Sequence, residues 1–252
     1  MMRWNTICFD LDNTLFSHEH AFEQAITHCY YQFVQQWLDE GRCRLQPDAA
    51  DWFRIFKRNS DLYWSSYEDG QIGEKTYRRL RYHDTVRALN LPYTDREADR
   101  FHQYYDAVVA DFSEPFPGLQ RFIKALVHAR VNVGIITNGS MAKQLRKIDK
   151  LGIRSIIPDD SIIISEAVHA AKPSKAIFDV AKMRLCTSEA EVPLYIGDSW
   201  QQDVVGALDA NWDAIYLNTR FEKPNTAHEP VCIFESFTDV IEFIYDQNKL
   251  KG

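Results

Sequence analysis

The sequence lacks several features that would each have narrowed its class. No apolar run approaches the roughly 20 residues that a membrane-spanning helix needs, so no membrane segment is expected. No signal peptide is read at the N-terminus, where Met1-Met2-Arg3-Trp4-Asn5 passes straight into a first strand. Cysteines are few: Cys8, Cys29, Cys43, Cys186 and Cys232 are scattered, odd in number and free of CxxC spacing. That pattern reads as reduced thiols, and with the missing leader it gives a cytoplasmic expectation. Basic charge is not in excess. The net charge of −7 argues against a nucleic-acid backbone as the main partner, yet leaves room for a small anion in a locally positive cleft. There is no internal repeat and no low-complexity tract. What is present is ordinary for a globular protein: 45% apolar and 26% charged residues in a chain of 252, enough for one large domain or a domain with an inserted module.

The chain changes character twice. Ile7 to Phe9 is an apolar run of buried-strand type, ending at Asp10-Leu11-Asp12. From His18 to Phe112 only helical periodicity follows. Phe22, Ile26, Cys29, Phe33 and Trp37 share one face of a first helix that Gly41 ends. Pro47-Asp48 opens a second, with Phe53, Phe56, Tyr63 and Tyr67 on its stripe, and Asp69-Gly70 turns the chain. A third runs from Glu74 to Leu89 and stops at Leu91-Pro92. A fourth carries Ala98, Phe101, Tyr105, Val108 and Phe112. Four amphipathic helices in series predict a small bundle. Its many aromatics are read as core, with Trp52, Trp64, Tyr67 and Tyr82 as possible pocket residues.

After Pro115-Phe116-Pro117-Gly118, helices and strands alternate. Helices are expected over 119–129, 141–151 (stopped by Gly152), 173–183 (opened by Pro173), from Ser199 to Leu208, and over 237–248. Strands are expected over 131–136, 161–164, 192–196 and 214–217. Arg220 to Pro230 is read as the mobile loop. Alternation of this kind predicts an α/β, doubly wound (Rossmann-like) parallel sheet with helices on both faces. Residues 1–16 and 115–252 would form that core and 17–114 an inserted all-helical cap. The two crossings, Phe16–His18 and Glu114–Gly118, make a plausible hinge.

The chemistry-bearing residues fall at strand ends. Asp10 and Asp12 sit at the carboxyl end of the first strand, where open α/β sheets bind ligands. Two crowded carboxylates there need positive charge, most simply a divalent cation. Thr137-Asn138-Gly139 gives a hydroxyl and backbone amides at a helix start, a natural cradle for an anion. Lys172 precedes Pro173. Gly197-Asp198 ends a strand, and Asp203 lies in the following helical turns. The four carboxylates supply oxygen ligands for a hard cation such as Mg²⁺, while Lys172 and Thr137 supply charge and a donor for phosphoryl oxygens.

In this order, Asp10-Leu11-Asp12-Asn13-Thr14, Thr137-Asn138-Gly139, Lys172-Pro173 and Gly197-Asp198…Asp203 resemble the four motifs of the haloacid dehalogenase-like (HAD) hydrolases. The helical block after the first strand is similar to that superfamily's C1-type cap. The resemblance implies that Asp10 is a nucleophile forming an aspartyl-phosphate, and that Asp12 protonates the leaving oxygen and then activates water. It implies that Thr137 and Lys172 hold the transferring phosphoryl group, with Asn138 and Gly139 beside them. Asp10, Asp198 and the backbone carbonyl of Asp12 would bind Mg²⁺, with Asp203 as a further ligand or a partner of one.

Asp12 also discriminates within the superfamily. Dehalogenases and phosphonate-cleaving relatives lack an aspartate there, and the sugar phosphomutases usually carry Gly-Val where this chain has Asn13-Thr14. A phosphatase acting on a small phosphorylated metabolite is therefore expected. Gly70-Gln71-Ile72-Gly73-Glu74 through Arg81 resembles the 5′-nucleotidase branch, which implies a nucleoside 5′-monophosphate. A sugar phosphatase, phosphomutase or dehalogenase on the same scaffold is the enzymatic alternative. A non-catalytic protein that senses a phosphometabolite or binds a partner is the alternative of another class. Arg54, Lys57, Arg58, Arg78, Arg79 and Arg81 are cap cations that could meet a second anionic group. His18 and His20, two apart, point in different directions on a helix and are not expected to share a metal, although His18 at the hinge could approach a substrate. Oligomeric state is left open.

Overall fold

The computed structural model describes residues 2–42, 46–91 and 93–250, so Met1, Cys43 and Pro92, named above, lie outside the described residues. Strand β1 (Thr6–Phe9) is followed by helices α1 (His18–Asp39), α2 (Ala49–Glu68), α3 (Glu74–Ala88) and α4 (Asp95–Val108). Then come α5 (Leu119–His128), β2 (Asn132–Thr137), α6 (Met141–Lys150), β3 (Ile162–Ile164), α7 (Ser165–Val168) and α8 (Lys175–Leu185). The chain closes with β4 (Leu194–Gly197), α9 (Gly206–Asp209), β5 (Asp213–Leu217), β6 (Cys232–Phe234) and α10 (Phe237–Gln247). Two compact units result: Met1–His18 with Ser113–Gly252, and Glu19–Phe112. Among the described residues no helix is long and apolar enough to cross a membrane.

In the first unit six parallel strands lie in the order β3-β2-β1-β4-β5-β6. β1 is interior, with Cys8 opposite Gly134 of β2 and Tyr195 of β4. All four of its residues are buried, which explains an apolar run without alternation. Successive side chains point to opposite faces. Cys8, Tyr195 and Tyr216 pack with Ile177, Phe178 and Ala181 of α8 and Ala207 of α9. Phe9 turns the other way onto Phe122 of α5, ring centroids 6.0 Å apart, and Phe122 meets Phe237 of α10 at 6.1 Å. Helices therefore cover both faces, and the fold is the doubly wound α/β arrangement expected. Strand order reverses between β1 and β4, and the crevice at such a switch point is where this architecture binds ligands.

Some details depart from the sequence reading. Ser174, not Pro173, caps α8, accepting from the Ala176 amide, and helical residues begin at Lys175. β6 and the short α7 were not anticipated. The helix expected from Ser199 begins as a wide π turn over Trp200–Val205 before becoming α9. Residues 220–230 are irregular but tied down: Trp200 Nε1 donates to Thr226 Oγ1 at 2.9 Å, and Asn218 bonds Glu222 through both its amide oxygen and its amide nitrogen.

The second unit has its own core. Buried Phe22, Ile26, Cys29, Phe33 and Trp37 recur along α1 at helical spacing and pack on Trp52 and Phe56 of α2, Tyr82 of α3 and Phe101 of α4. Asp48 caps α2 through the amides of Ala50 and Asp51, and Thr94 caps α4 through the amide of Glu97. Trp52 and Tyr82 are core residues rather than pocket residues, whereas Trp64 is half exposed and Tyr67 stacks on Tyr77. Of the cap cations, Arg54, Lys57, Arg78 and Arg79 pair with carboxylates of this unit.

Arg81 differs from them. It is only 7% exposed, and among the described residues no carboxylate pairs with it. Its guanidinium carbon lies 4.7 Å from the Tyr77 ring centroid and 5.2 Å from that of Phe56. Its Nη atoms donate to Tyr77 Oη at 3.2 Å and to His102 Nδ1 at 3.3 Å. His102 Nε2 bonds the Arg78 carbonyl at 2.7 Å. A carbonyl only accepts, so Nε2 carries the hydrogen and Nδ1 is free to accept. Burial and the adjacent Arg81 charge push His102 down to about 2, so it stays neutral.

Candidate active site

Asp10 continues β1 by one residue. Its amide donates to the Ile196 carbonyl at 2.9 Å, extending the ladder to β4 and fixing the carboxylate at the switch point. The chain then turns sharply: Asn13 takes a left-handed conformation (φ 60°), and the Leu15 amide returns to the Leu11 carbonyl. Asp198 follows β4, the neighbouring strand. Asp203 is carried back toward the strand end by the wide turn after Ser199. A β-carbon on Gly197 would lie 2.4 Å from Asp203 Cγ, so only glycine at 197 admits that carboxylate.

One carboxylate oxygen from each of Asp10, Asp198 and Asp203 lies within 4.8 Å of the others, and all three residues are buried. Lys172, whose side chain is 2% exposed, is the ammonium among them. It donates to Asp10 Oδ1 and Asp203 Oδ1, both at 2.6 Å, and to Tyr195 Oη at 2.9 Å. Those three bonds use all its hydrogens. Arg220 reaches in from the irregular segment to Asp198 Oδ2 at 3.0 Å.

Burial pushes the Asp10 carboxyl up; Lys172 opposes this, Asp203 and Asp12 add to it, and the result is about 7. Burial, then Asp10 and Asp203, push Asp198 up to about 8 against Arg220 and Lys172. Burial works to lower Lys172, but Asp10 and Asp203 hold it above its ordinary value. The cluster is thus short of positive charge. Three converging oxygens with two carboxyls that resist ionisation suit a hard divalent cation, and the residues fit one.

Asp12 sits in a different setting, with its side chain 28% exposed. Lys147 of α6 donates to both its oxygens, at 2.7 and 2.8 Å, and Gln144 donates to Oδ2 at 3.1 Å. His18 Nδ1 lies 3.5 Å from Oδ1. Burial works to raise Asp12, but Lys147 and His18 override it and hold the carboxyl at about 2. Gln144 also reaches Thr137 Oγ1 at 2.6 Å and the Asn138 carbonyl at 3.0 Å, linking the ends of β1 and β2.

The expected anion cradle at 137–139 is arranged differently from the sequence reading. Thr137 is buried with its hydroxyl on Gln144. The Asn138 side chain clamps the backbone of Lys172, accepting from its amide at 2.9 Å and donating to its carbonyl at 3.0 Å. The Gly139 amide donates to Ser165 Oγ, and the Met141 amide at the start of α6 donates to Glu166. Asn138 thus positions Lys172, and the Gly139 amide is spoken for.

Of the eight residues singled out in the sequence, Asp10 and Asp12 follow β1, Thr137, Asn138 and Gly139 end and follow β2, Asp198 and Asp203 follow β4, and Lys172 comes from the segment between α7 and α8. Gln144, Lys147, Tyr195 and Arg220 were missed. The signal for the first two was available. Gln144, Lys147, Ile148 and Leu151 recur at 3-4-7 spacing, so a polar pair occupies the upper half of a buried stripe. Tyr195 is hidden inside an apolar strand. Arg220 stands in a polar loop where cations are commonplace.

Pyrimidine 5′-nucleotidase YjjG of Escherichia coli (strain K12) is 25% identical to this chain over 243 residues, covering 96% of the chain and 99% of its own length. Glyceraldehyde 3-phosphate phosphatase of Methanothermobacter thermautotrophicus is 30% identical over 115 residues, 45% of the chain and 49% of its own length. Among solved structures, that of YfnB from Bacillus subtilis, bound to magnesium, superposes with a TM-score of 0.75 at 20% identity over 96% of this chain and 99% of that one. The family model for haloacid dehalogenase-like hydrolases matches residues 4–211, from just before β1 to beyond Asp203. A buried carboxylate cluster at the switch point of a doubly wound sheet and a family match that spans it lead to one conclusion: the chain belongs to the haloacid dehalogenase-like hydrolases.

Proposed function

We propose that the chain is a Mg²⁺-dependent phosphatase that hydrolyses a nucleoside 5′-monophosphate through a phosphoryl group carried on Asp10. The observation that carries this reading is the Asp10–Lys172–Asp203 array beside Asp198 and Asp12: a buried, oriented carboxylate with a second carboxylate two residues on. Two relatives matched over 96% and 99% of this chain are pyrimidine 5′-nucleotidases, whereas glyceraldehyde 3-phosphate phosphatases match over smaller shares, 45% in one case and 81% in another. That difference favours a nucleotide over a triose phosphate.

Asp10, Asp198 and the carbonyl of Asp12 would hold the cation, with Asp203 kept beside them by Lys172 and the Ser199 amide. Such an ion draws charge from phosphoryl oxygens and lets an anionic carboxylate approach an anionic ester. Lys172 fixes Asp10 Oδ1 and leaves its other oxygen to attack phosphorus. As the new O–P bond forms, the bond to the leaving oxygen breaks; Asp12, an ionised carboxylate in the free protein, takes the proton carried by the monoanionic ester and passes it to that oxygen. Asp12 then takes a proton from a water that attacks the phosphoryl-aspartate; inorganic phosphate leaves and Asp10 is restored. Thr137 Oγ1 is the hydroxyl nearest this chemistry on β2 and turns its hydrogen to a phosphoryl oxygen.

The experiment is phosphate release from a panel of pyrimidine and purine 5′-monophosphates, triose and hexose phosphates, with Mg²⁺ and with chelator. Turnover of 5′-monophosphates only with Mg²⁺ is expected. Preference for a sugar phosphate would replace the substrate class. Mg²⁺-dependent binding without release of phosphate would replace the enzyme with a sensor.

A further inference from the structure

We propose that Lys147, seconded by Gln144, is a positioning residue that orients Asp12 for proton transfer to the leaving oxygen. The inference rests on the phosphatase reading above and adds a residue pair that the sequence motifs do not contain.

Asp12 stands on the turn after β1, where a short side chain next to a left-handed residue has little of its own to fix its direction. The fixing comes from α6. Lys147 Nζ spans both carboxylate oxygens at 2.7 and 2.8 Å, which sets the plane of the group as well as its distance. Gln144, one turn earlier on the same helix face, adds a bond to Oδ2 and anchors on Thr137 and the Asn138 carbonyl. Both side chains are buried, Gln144 at 2% and Lys147 at 7% exposure. Burying an ammonium is costly unless a charge meets it, and the carboxylate that Lys147 meets is Asp12. The two residues form a bracket between the proposed proton donor on β1 and the proposed phosphoryl-binding hydroxyl on β2. A carboxyl that must meet a leaving oxygen within hydrogen-bond reach gains from such a bracket, since small misplacements cost large factors in rate.

A leaving group that needs no proton does not need Asp12 to be well aimed. The test therefore compares kcat/KM, which covers the steps through cleavage of the ester bond, for two probes. β-Glycerophosphate expels a poorly leaving alkoxide, and 2,4-dinitrophenyl phosphate expels a phenolate that departs unaided. Lys147→Met keeps the aliphatic stem and removes the ammonium. It should lower kcat/KM on the order of 100-fold for β-glycerophosphate and under about fivefold for the dinitrophenyl ester. Lys147→Arg should recover at least about tenfold of the first loss, and Asp12→Asn should show the same split between esters. Adding Lys147→Met to Asp12→Asn should cost nothing further, because the two act as one unit. Equal losses on the two esters, or no loss on either, would overturn the inference while leaving the phosphatase standing. Wild-type protein inert toward both esters with Mg²⁺ would overturn the phosphatase and the inference together. If Lys147→Met does not fold, as judged by circular dichroism, Gln144→Met decides by the same criterion, with a smaller split expected because no charge is removed.

Discussion

The two units bury charge in opposite senses. In the sheet unit three carboxylates, Asp10, Asp198 and Asp203, converge around the ammonium of Lys172. In the helical unit the guanidinium of Arg81 is buried with no carboxylate partner among the described residues, lying over the rings of Tyr77 and Phe56 and against a neutral His102. A guanidinium is weakly hydrated and attracted to ring faces, so aromatic packing meets much of its need. No such substitute exists for a carboxylate, because ring faces repel anions. The Arg81 cluster is therefore close to self-sufficient, whereas the Asp10 cluster is built to receive a cation. Of the two buried imbalances, the acidic one marks chemistry.

The comparison breaks most sharply at Asp10. Asp10→Asn keeps shape and burial but removes the nucleophile, and turnover of an aryl phosphate should fall at least about 10⁴-fold; retained activity would end the nucleophile assignment. Lys172→Met comes next. It strands two buried carboxylates and should cost about 3–5 kcal/mol in a denaturant melt with chelator, part of which added Mg²⁺ should restore. If Mg²⁺ restores nothing, the cluster is not a cation site.

The third test uses pH. Between about pH 6.5 and 8 the folded chain still holds protons on Asp10 and Asp198, raised to about 7 and about 8, that the unfolded chain has released. Stability in chelator should therefore fall as pH rises through that window, by about 2 kcal/mol. Below 6.5 the buried neutral His102 works in the other direction, since the unfolded chain takes up a proton that the folded one refuses. The carboxylate slope runs from about pH 4 to about 8 and overlaps that of His102, so excess Mg²⁺ should remove the first across the whole range and leave only the opposing His102 slope below 6.5; thermal melts at matched ionic strength report both. The smallest effect belongs to Arg81→Met, about 1–2 kcal/mol for the lost ring contacts. A loss exceeding that of Lys172→Met would mean that the Arg81 cluster depends on its charge as heavily as the acidic one does, and the contrast drawn here would fail.

What could be read from the sequence follows from these environments. Asp10, Asp12 and Asp198 were legible because a carboxylate ending an apolar run is conspicuous, and the order of strands and helices was legible because short apolar runs and period-3.6 patterns alternate after Gly118. Lys147 and Gln144 share the inward stripe of Ile148 and Leu151, but that stripe does not say what they meet, because Asp12 lies 135 residues from Lys147 and only the fold brings them together. β6 was missed because Cys232–Phe234 is a three-residue edge strand that is not fully buried, so it carries no core signature. Arg220 was assigned to a mobile loop because its partner Asp198 is remote in sequence. Asn138 and Gly139 were placed correctly at the strand end, but the competition for their donors came from Ser165 and Lys172, which only the fold brings near.

The interior position of β1 bears on the order of assembly. Thr6 pairs with Asn132 on one side and Ile7 with Leu194 on the other, so β1 waits for β2 (Asn132–Thr137) before one edge is covered and for β4 (Leu194–Gly197) before the other is. The buried core of the helical unit is drawn from residues between Phe22 and Phe101, which are complete long before that. Synthesis would thus finish one hydrophobic core while the strand carrying the nucleophile remained an unpaired, sticky segment, a stage at which chaperone engagement would matter more than at any later one.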